Sequence, residues 1–138
     1  MSNEPAPNDP ASTDASLNDE QAQRLVALAM DLARAGEMAQ LTEFLDHDFP
    51  IDQSDAQGNT LLMLAAYSGQ GETVAMLLAK GANPDLRNAR DQSPVAGALF
   101  KGEDAIVALL VAAGADLDAG TPTARAAAAM FGREHLLG

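Results

Sequence analysis

Hydrophobic residues recur along the chain at the spacing of short amphipathic helices. In residues 25–32 the leucines and alanines lie three and four positions apart, which places them on one face of a helix. Asn18 has a side chain suited to cap that helix, and Gly36 is suited to end it. A second, shorter helix is predicted around residues 41–45.

The pattern repeats at a constant spacing along the sequence. This spacing, which we call the repeat period, equals the separation of Gly36 and Gly69. Apolar residues, glycines and aspartates all recur at this one period. One set of recurring residues could arise by chance, whereas several sets that share a period indicate an internal repeat. The clearest columns are Gly36, Gly69 and Gly102; Leu41, Val74 and Val107; Phe44, Leu77 and Leu110; and Asp52, Asp85 and Asp118. We infer a chain built from internal repeats.

Each unit is predicted to run helix, turn, helix, loop. Gly69 and Gly102 stand where the first helix has to end in a left-handed residue, and Gly81 does so for a second helix. Thr60 and Ser93 are placed to cap the first helices. One helix pair cannot bury its own apolar face, whereas stacked pairs can, so the predicted architecture is a short solenoid.

The predicted repeat domain starts after residue 18. Prolines separated by Asn, Asp, Ser and Thr leave residues 1–18 too little apolar surface to offset the entropy of ordering. They predict a disordered acidic tail that keeps the chain in solution, with folding back or binding a basic partner as the alternatives. The repeat domain, 19–138, divides into approximate units at 19–54, 55–87, 88–120 and 121–138.

Residues 55–87 resemble the ankyrin repeat. The residues that carry the resemblance are Asp55, Gly58, Thr60-Leu61, Ala65-Ala66, Gly69, Glu72, Leu77-Leu78 and Gly81-Ala82-Asn83. Residues 88–120 are more loosely similar, through Ser93-Pro94-Val95, Gly102 and Gly114-Ala115-Asp116. The resemblance implies an all-α, ankyrin-type helix-turn-helix solenoid with projecting β-turn loops, in which the last of about four repeats is truncated.

Two departures from the family pattern concern the loops. The family's His in its Thr-Pro-Leu-His run is Met63 in one unit and Ala96 in the next, which predicts weaker hydrogen bonding between adjacent loops. Asp91 stands where the preceding unit has Gly58, so the two loop tips are expected to differ.

Composition narrows the possible functions. The absence of Cys excludes a disulfide framework and a thiolate metal site. Eight basic and 20 acidic residues give a net charge of −12, which repels nucleic acid and anionic membrane surfaces. Residues 1–16 lack the features of a secretory signal, and no stretch reaches the roughly 18 apolar residues of a membrane span. We expect a cytoplasmic protein that binds neither nucleic acid nor membrane.

Little in the chain predicts catalysis. His47 lies in Asp46-His47-Asp48, whose three adjacent side chains cannot all face one metal ion, and His135 lies in the last turn. Both histidines are expected at the surface, and the aspartates that recur once in each unit are expected to satisfy loop groups. We therefore expect no enzyme activity, metal or cofactor, and keep an enzyme with an unrecognised site only as a lesser alternative.

The resemblance to ankyrin repeats also implies a binding surface. Partners in that family usually contact the loop tips and the exposed ends of the first helices. In this chain the corresponding residues are Arg34, Gln57, Asn59, Tyr67, Ser68, Arg90, Gln92, Phe100, Lys101 and Phe131. Tyr67, Phe100 and Phe131 are the predicted anchors, because aromatic side chains bury much area with few rotamers. The alternative is that these rings pack into the stack.

The resulting prediction is a non-catalytic module that binds an unidentified protein partner through its concave face. An alternative is a subunit that stabilises or masks an enzyme by stacking an open end on it. That alternative is motivated by apolar residues that the short last helix is expected to cover incompletely: Leu109, Leu110, Leu136 and Leu137. We expect a monomer, with self-association through the C-terminal end as the other state.

Overall fold

A computed structural model describes residues 10–138, with their side chains from residue 19 onward. These residues form seven α-helices and a final 3₁₀ helix, and no strand. The helices are α1 Pro10–Ala35, α2 Met38–Asp46, α3 Leu61–Tyr67, α4 Gly71–Ala79, α5 Pro94–Phe100, α6 Asp104–Ala112, α7 Ala124–Phe131 and the 3₁₀ helix Glu134–Leu137. The all-α prediction is confirmed.

The first helices of the units form the interior of the stack. Helix α3 packs against α1 and α5, and α5 packs against α7. Every residue of α3 from Leu61 to Ala66 is buried, because neighbouring helices cover it on both sides. The second helices bury one face only, as Val74 and Leu77 do in α4. Each helix pair thus depends on its neighbours for its core, as in other solenoids.

Residues with hydroxyl side chains cap the N-termini of the first helices, as the sequence predicts. The Oγ1 of Thr60 and the Oγ of Ser93 each accept a hydrogen bond at 3.2 Å from the amide three residues later. Pro94 follows Ser93 at the start of α5, where its missing N–H leaves no bond unmade. In the last unit Thr123 caps α7 in the same way, at 3.0 Å.

The first helix begins earlier than the sequence predicts. Helix α1 starts at Pro10, so Asn18 lies inside the helix and does not cap it. Proline suits a first helical position, and once a helix is nucleated each further residue adds a hydrogen bond. The structure therefore places residues 10–18 in α1, where the sequence predicts a disordered tail, and the rest of that predicted tail, 1–9, lies outside the described residues.

The second helices are followed by a left-handed residue at the same place in each unit. Gly81 and Gly114 have φ values of 96° and 87°, and in the first unit the same position is Asp48, with φ of 70°. This turn brings the amide of Phe49 to the carbonyl of Phe44 at 3.1 Å, and the two rings meet edge to face at 5.7 Å. A Cβ in this conformation costs the folded state roughly 1 kcal/mol.

We expect Asp48→Gly to stabilise the protein. The substitution removes the Cβ from a left-handed residue, and the larger entropy of glycine in the unfolded chain offsets part of the gain, leaving about 0.5 kcal/mol. Urea denaturation measures the change in the free energy of unfolding. Gly81→Ala is the matched reverse substitution and should destabilise the protein by about 1 kcal/mol. A less stable Asp48→Gly variant would contradict the expected relief of strain.

Adjacent loops are hydrogen-bonded although the family's His is absent. The Nδ2 of Asn88 donates to the Oδ1 of Asn59 at 2.9 Å. The amide of Ala89 donates to the carbonyl of Gln57, also at 2.9 Å. Two hydrogen bonds, one from a side-chain amide and one from a backbone amide, therefore join the two loops. The sequence predicts weaker hydrogen bonding between them.

The two loop tips share one backbone conformation in spite of their different residues. The φ of Asp91 is 60°, close to the 80° of Gly58, so the predicted difference between the tips is not found in the backbone. The Oδ2 of Asp91 accepts a hydrogen bond from the Thr121 hydroxyl at 2.7 Å, and its carbonyl accepts one from the Thr121 amide at 2.8 Å. Asp91 thus ties the third unit to the last.

Two of the three aspartates that recur along the chain, Asp52 and Asp85, satisfy backbone groups of a loop, which confirms the prediction for them. The Oδ1 of Asp52 accepts a hydrogen bond from the amide of Asn83 at 2.9 Å. The Oδ1 of Asp85 accepts one from the amide of Asp116 at 2.7 Å. Each of these carboxylates holds the backbone of the following unit. Asp118, the last of the series, binds an arginine side chain instead.

Candidate functional site

The exposed large apolar side chains of the described residues fall into two groups, one towards each end of the stack. Leu25 and Leu28 of α1 are each 49% exposed. Phe100 at the end of α5 is 45% exposed, and Met130 and Phe131 at the end of α7 are 64% and 40% exposed. Single exposed apolar residues are ordinary, whereas a group of them is a candidate interaction surface. We call Phe100, Met130 and Phe131 the aromatic patch.

The aromatic patch holds two of the three predicted anchors in contact. The ring centroids of Phe100 and Phe131 lie 5.2 Å apart at an interplanar angle of 82°, an edge-to-face arrangement. The contact fixes both rings while it leaves part of each exposed. Side chains that are already ordered lose less entropy when a partner covers them.

Tyr67, the third predicted anchor, has a different environment. Its half-buried ring packs against Gly97 of the next unit, and its hydroxyl donates to the carbonyl of Ser93 at 3.4 Å. Burial raises the pKa of Tyr67 to about 12, because an ionised phenolate would lose its hydration there. Much of this side chain therefore serves the stack. The neighbouring Ser68 is exposed and ends α3.

The three cations predicted for this surface differ in their surroundings. The Nη1 of Arg34 lies 2.7 Å from the Oδ1 of Asp31, so a local carboxylate offsets its charge. Within the part of the chain that the structure describes, neither Arg90 nor Lys101 forms an ion pair. Lys101 follows Phe100 directly at the end of α5. The aromatic patch thus has a positive charge beside it, on a chain whose net charge is −12.

The predicted site residues in the loop tips have structural hydrogen bonds as well. The backbone N–H groups of Gln57 and Asn59 both donate to the Oδ1 of Asp55 at 2.9 Å. The Oε1 of Gln92 accepts from the Nδ2 of Asn88 at 2.8 Å. Gln57 is exposed, whereas Asn59 and Gln92 are half-buried, so the tips offer a partner fewer free side chains than the sequence predicts.

A groove at the other end of the stack is absent from the sequence-based prediction. It has a volume of about 600 Å³ and lies between α1, α2 and the loop that follows α2. Apolar side chains and two carboxylates line it: Leu25, Val26, Phe44 and Phe49, with Glu43 and Asp48. We call it the α1–α2 groove. The repeat columns assign Phe44 to the core, so the sequence pattern alone did not indicate that it borders an open surface.

The apolar C-terminal end is better covered than the sequence predicts. Leu110 is fully buried, contrary to the expectation of incomplete cover. The 3₁₀ helix packs against α6 and α7 at this end of the stack. The remaining leucines of that group are half-buried: Leu109, Leu136 and Leu137.

The two histidines lie at helix ends on the surface, as predicted. The Nδ1 of His47 lies 2.8 Å from the carbonyl oxygen of Glu43, to which it donates, and His135 is exposed in the 3₁₀ helix. Among the described side chains, no three His, Asp or Glu residues are grouped so that they could hold a metal ion. None of the described helices is both long enough and apolar enough to span a bilayer.

Comparison with known proteins supports the repeat assignment. A family model described as ankyrin repeats (3 copies) matches residues 12–88 and 28–121. The oxysterol-binding protein-related protein 1 of Homo sapiens is 39% identical over 77 residues, as are its counterparts in Rattus norvegicus and Mus musculus. The match covers 54% of this chain and 8% of each relative. Ankyrin repeats generally mediate protein–protein interaction and are typically non-catalytic. The chain belongs to the ankyrin repeat family.

Proposed function

We propose that this chain is a non-catalytic module that binds a partner protein through the aromatic patch and the neighbouring loop tips on the concave face of the solenoid. The observation that carries the proposal is the exposed Phe100–Phe131 pair, which is ordered by its own contact. The general role of ankyrin repeats in protein binding supports it. The cytoplasm is the proposed compartment.

The chemistry of this surface favours a partner segment that is apolar and acidic. Phe100 and Phe131 offer exposed ring area that a partner's apolar side chains would remove from water. Lys101 and Arg90 would meet carboxylates of the partner, and such complementary charge speeds association and excludes wrong partners. Tyr67 contributes mainly by holding the next unit in place, since its ring is packed on Gly97.

We expect a Phe100→Glu/Phe131→Glu variant to lose the partner. The substitutions place charges where the complex would be desolvated, which should weaken binding at least about tenfold. The intact chain and the variant are used to capture proteins from a lysate of the source cells, and mass spectrometry identifies what each retains. Ala75→Glu/Ala108→Glu is the matched control, because it adds two charges at exposed positions on α4 and α6, outside both candidate surfaces. Circular dichroism shows that all three proteins are folded.

A protein held by the intact chain and by Ala75→Glu/Ala108→Glu, and lost by Phe100→Glu/Phe131→Glu, supports the proposal. Equal capture by Phe100→Glu/Phe131→Glu contradicts it and places the binding site elsewhere. A partner lost only by a Leu136→Glu/Leu137→Glu variant would instead support the alternative function, in which the half-buried C-terminal end stacks on an enzyme.

A further inference from the structure

The α1–α2 groove occupies the place where a preceding unit would stack. At the repeat period Phe44 aligns with Leu77 and Leu110, which are fully buried, whereas Phe44 is half-buried. Phe49 is half-buried as well, but its column does not separate the units, because Ala82 is 6% exposed and Ala115 is half-buried. The second and third units each have a unit before them, and among the described residues the first has none. Its apolar positions are therefore left facing the groove.

Helix α1 continues this apolar surface beyond the groove. Ala29, Met30 and Ala33 are buried where α1 packs on α3. Leu25 and Leu28 stay half exposed, and their three-residue spacing places them close together on the helix surface. Two walls of the groove are the helices α1 and α2 and the third is the loop after α2, and the described residues form no sheet edge to which an extended segment could add as a strand. The geometry therefore suits an amphipathic helix laid into the groove.

The charge of the groove distinguishes between possible occupants. Glu43 and Asp48 line it together with His47, and no Lys or Arg of the described residues does. A second copy of the chain would bring a further net charge of −12. Residues 1–9 contain two acidic residues and no Lys or Arg, so the start of the chain offers no complementary charge. An occupant with basic side chains would be attracted to this rim.

We propose that the α1–α2 groove binds an amphipathic helix of a partner protein, with its apolar side on the Phe44–Phe49 pair and Leu25 and with Lys or Arg flanking that side. This surface lies towards the end of the stack opposite the aromatic patch and does not depend on it. A chain with two such surfaces could hold two different proteins at once and act as an adaptor between them.

The test uses a displayed library of helical peptides of about 18 residues, roughly five turns, selected against the full chain. Leucines are fixed on one face and the flanking positions are randomised. We expect the enriched peptides to carry Lys or Arg at the flanks. A labelled peptide from the selection should bind Leu25→Glu at least about tenfold more weakly, because a charge then enters the apolar contact. Fluorescence anisotropy measures the affinities.

Matched variants separate the groove from general attraction to an acidic protein. Glu43→Gln/Asp48→Asn keeps the shape of the rim and removes two charges, and should weaken the peptide several-fold at low salt. Glu72→Gln/Glu134→Gln removes two exposed charges outside the groove and should have little effect. The Phe100→Glu/Phe131→Glu variant should bind the peptide like the intact chain, so this proposal and the proposed function fail or survive separately.

Several outcomes would overturn the proposal. These are a selection without enriched peptides, enrichment of acidic flanks, or peptides whose affinity Leu25→Glu leaves unchanged. Light scattering that shows a dimer abolished by Leu25→Glu would assign the groove to a second copy. A rise in peptide affinity of more than about tenfold on deletion of residues 2–9 would assign it to the chain's own start.

Discussion

A Leu77→Ala variant should lose about 2–5 kcal/mol of its free energy of unfolding. The Leu77 side chain is fully buried on the inner face of α4, which packs against α3 and α6. Its truncation removes apolar contacts and leaves a cavity that the surrounding helices close only in part. Domains of this size have total stabilities of about 5–15 kcal/mol, so the loss would be a large share of the whole.

Urea denaturation followed by circular dichroism measures this loss. Leu28→Ala is the matched control, because it removes the same atoms from a side chain that is 49% exposed. We expect it to cost less than about 1 kcal/mol. Similar losses in the two variants would contradict the assignment of Leu77 to the core.

Gly97→Ala should destabilise the protein by about 1–3 kcal/mol, although alanine is normally the better helix former by about 1 kcal/mol. Gly97 lies inside α5, and a Cβ placed on it would lie 2.5 Å from the Cζ of Tyr67 and 2.7 Å from its hydroxyl oxygen. The Tyr67 ring would have to move, and its contact with the next unit would be lost. At this position the energetic cost of the clash between two units exceeds the gain in helix propensity.

A double-mutant cycle tests this explanation. In a Tyr67→Ala background the obstruction is gone, so Gly97→Ala should then stabilise the protein by up to about 1 kcal/mol. The sign of the effect therefore reverses with the residue at position 67. If Gly97→Ala stabilises the protein while Tyr67 is present, the packing described for these two residues is contradicted.

The repeating part of the fold follows from the sequence because several kinds of signal agree at one period. Thr60 and Ser93 cap helices where the columns place them, and Gly81 ends a helix in the left-handed conformation expected of it. Each of these signals acts within a few residues of its position. The start of α1 has no such signal, because proline is found in turns as well as in the first helical turn, so Pro10 alone does not predict a helix start.

The candidate surfaces were only partly predictable, because exposure depends on what lies across from a residue. Phe100 and Phe131 were recognised from their places in the repeat, and the structure adds that they touch. The burial of Tyr67 depends on Gly97 in the next unit. The sequence-based prediction did not single out that glycine, although a glycine inside a helix can mark close packing. Phe44 stands in a repeat column whose other members are core residues. It borders an open groove because it lies in the first of the described units.

Asp52 and Asp85 each bind a backbone amide of the next unit, so a unit receives a carboxylate bond from the unit before it and supplies one to the unit after it. If a second copy of residues 55–87 were inserted after residue 87, Asp52, Asp85 and the copied Asp85 would each still lie opposite a backbone amide of the next unit. The carboxylate bonds would therefore be kept if the chain were lengthened by whole copies of this segment, whereas an insertion of another length would put the carboxylates out of register. The new joint would also set Tyr67 against Leu64, which holds the position of Gly97 in the copied unit, so one of these two side chains would have to be replaced. The two aspartates thus set the length by which the chain can grow, and the Tyr67–Gly97 contact sets which residues a new joint requires.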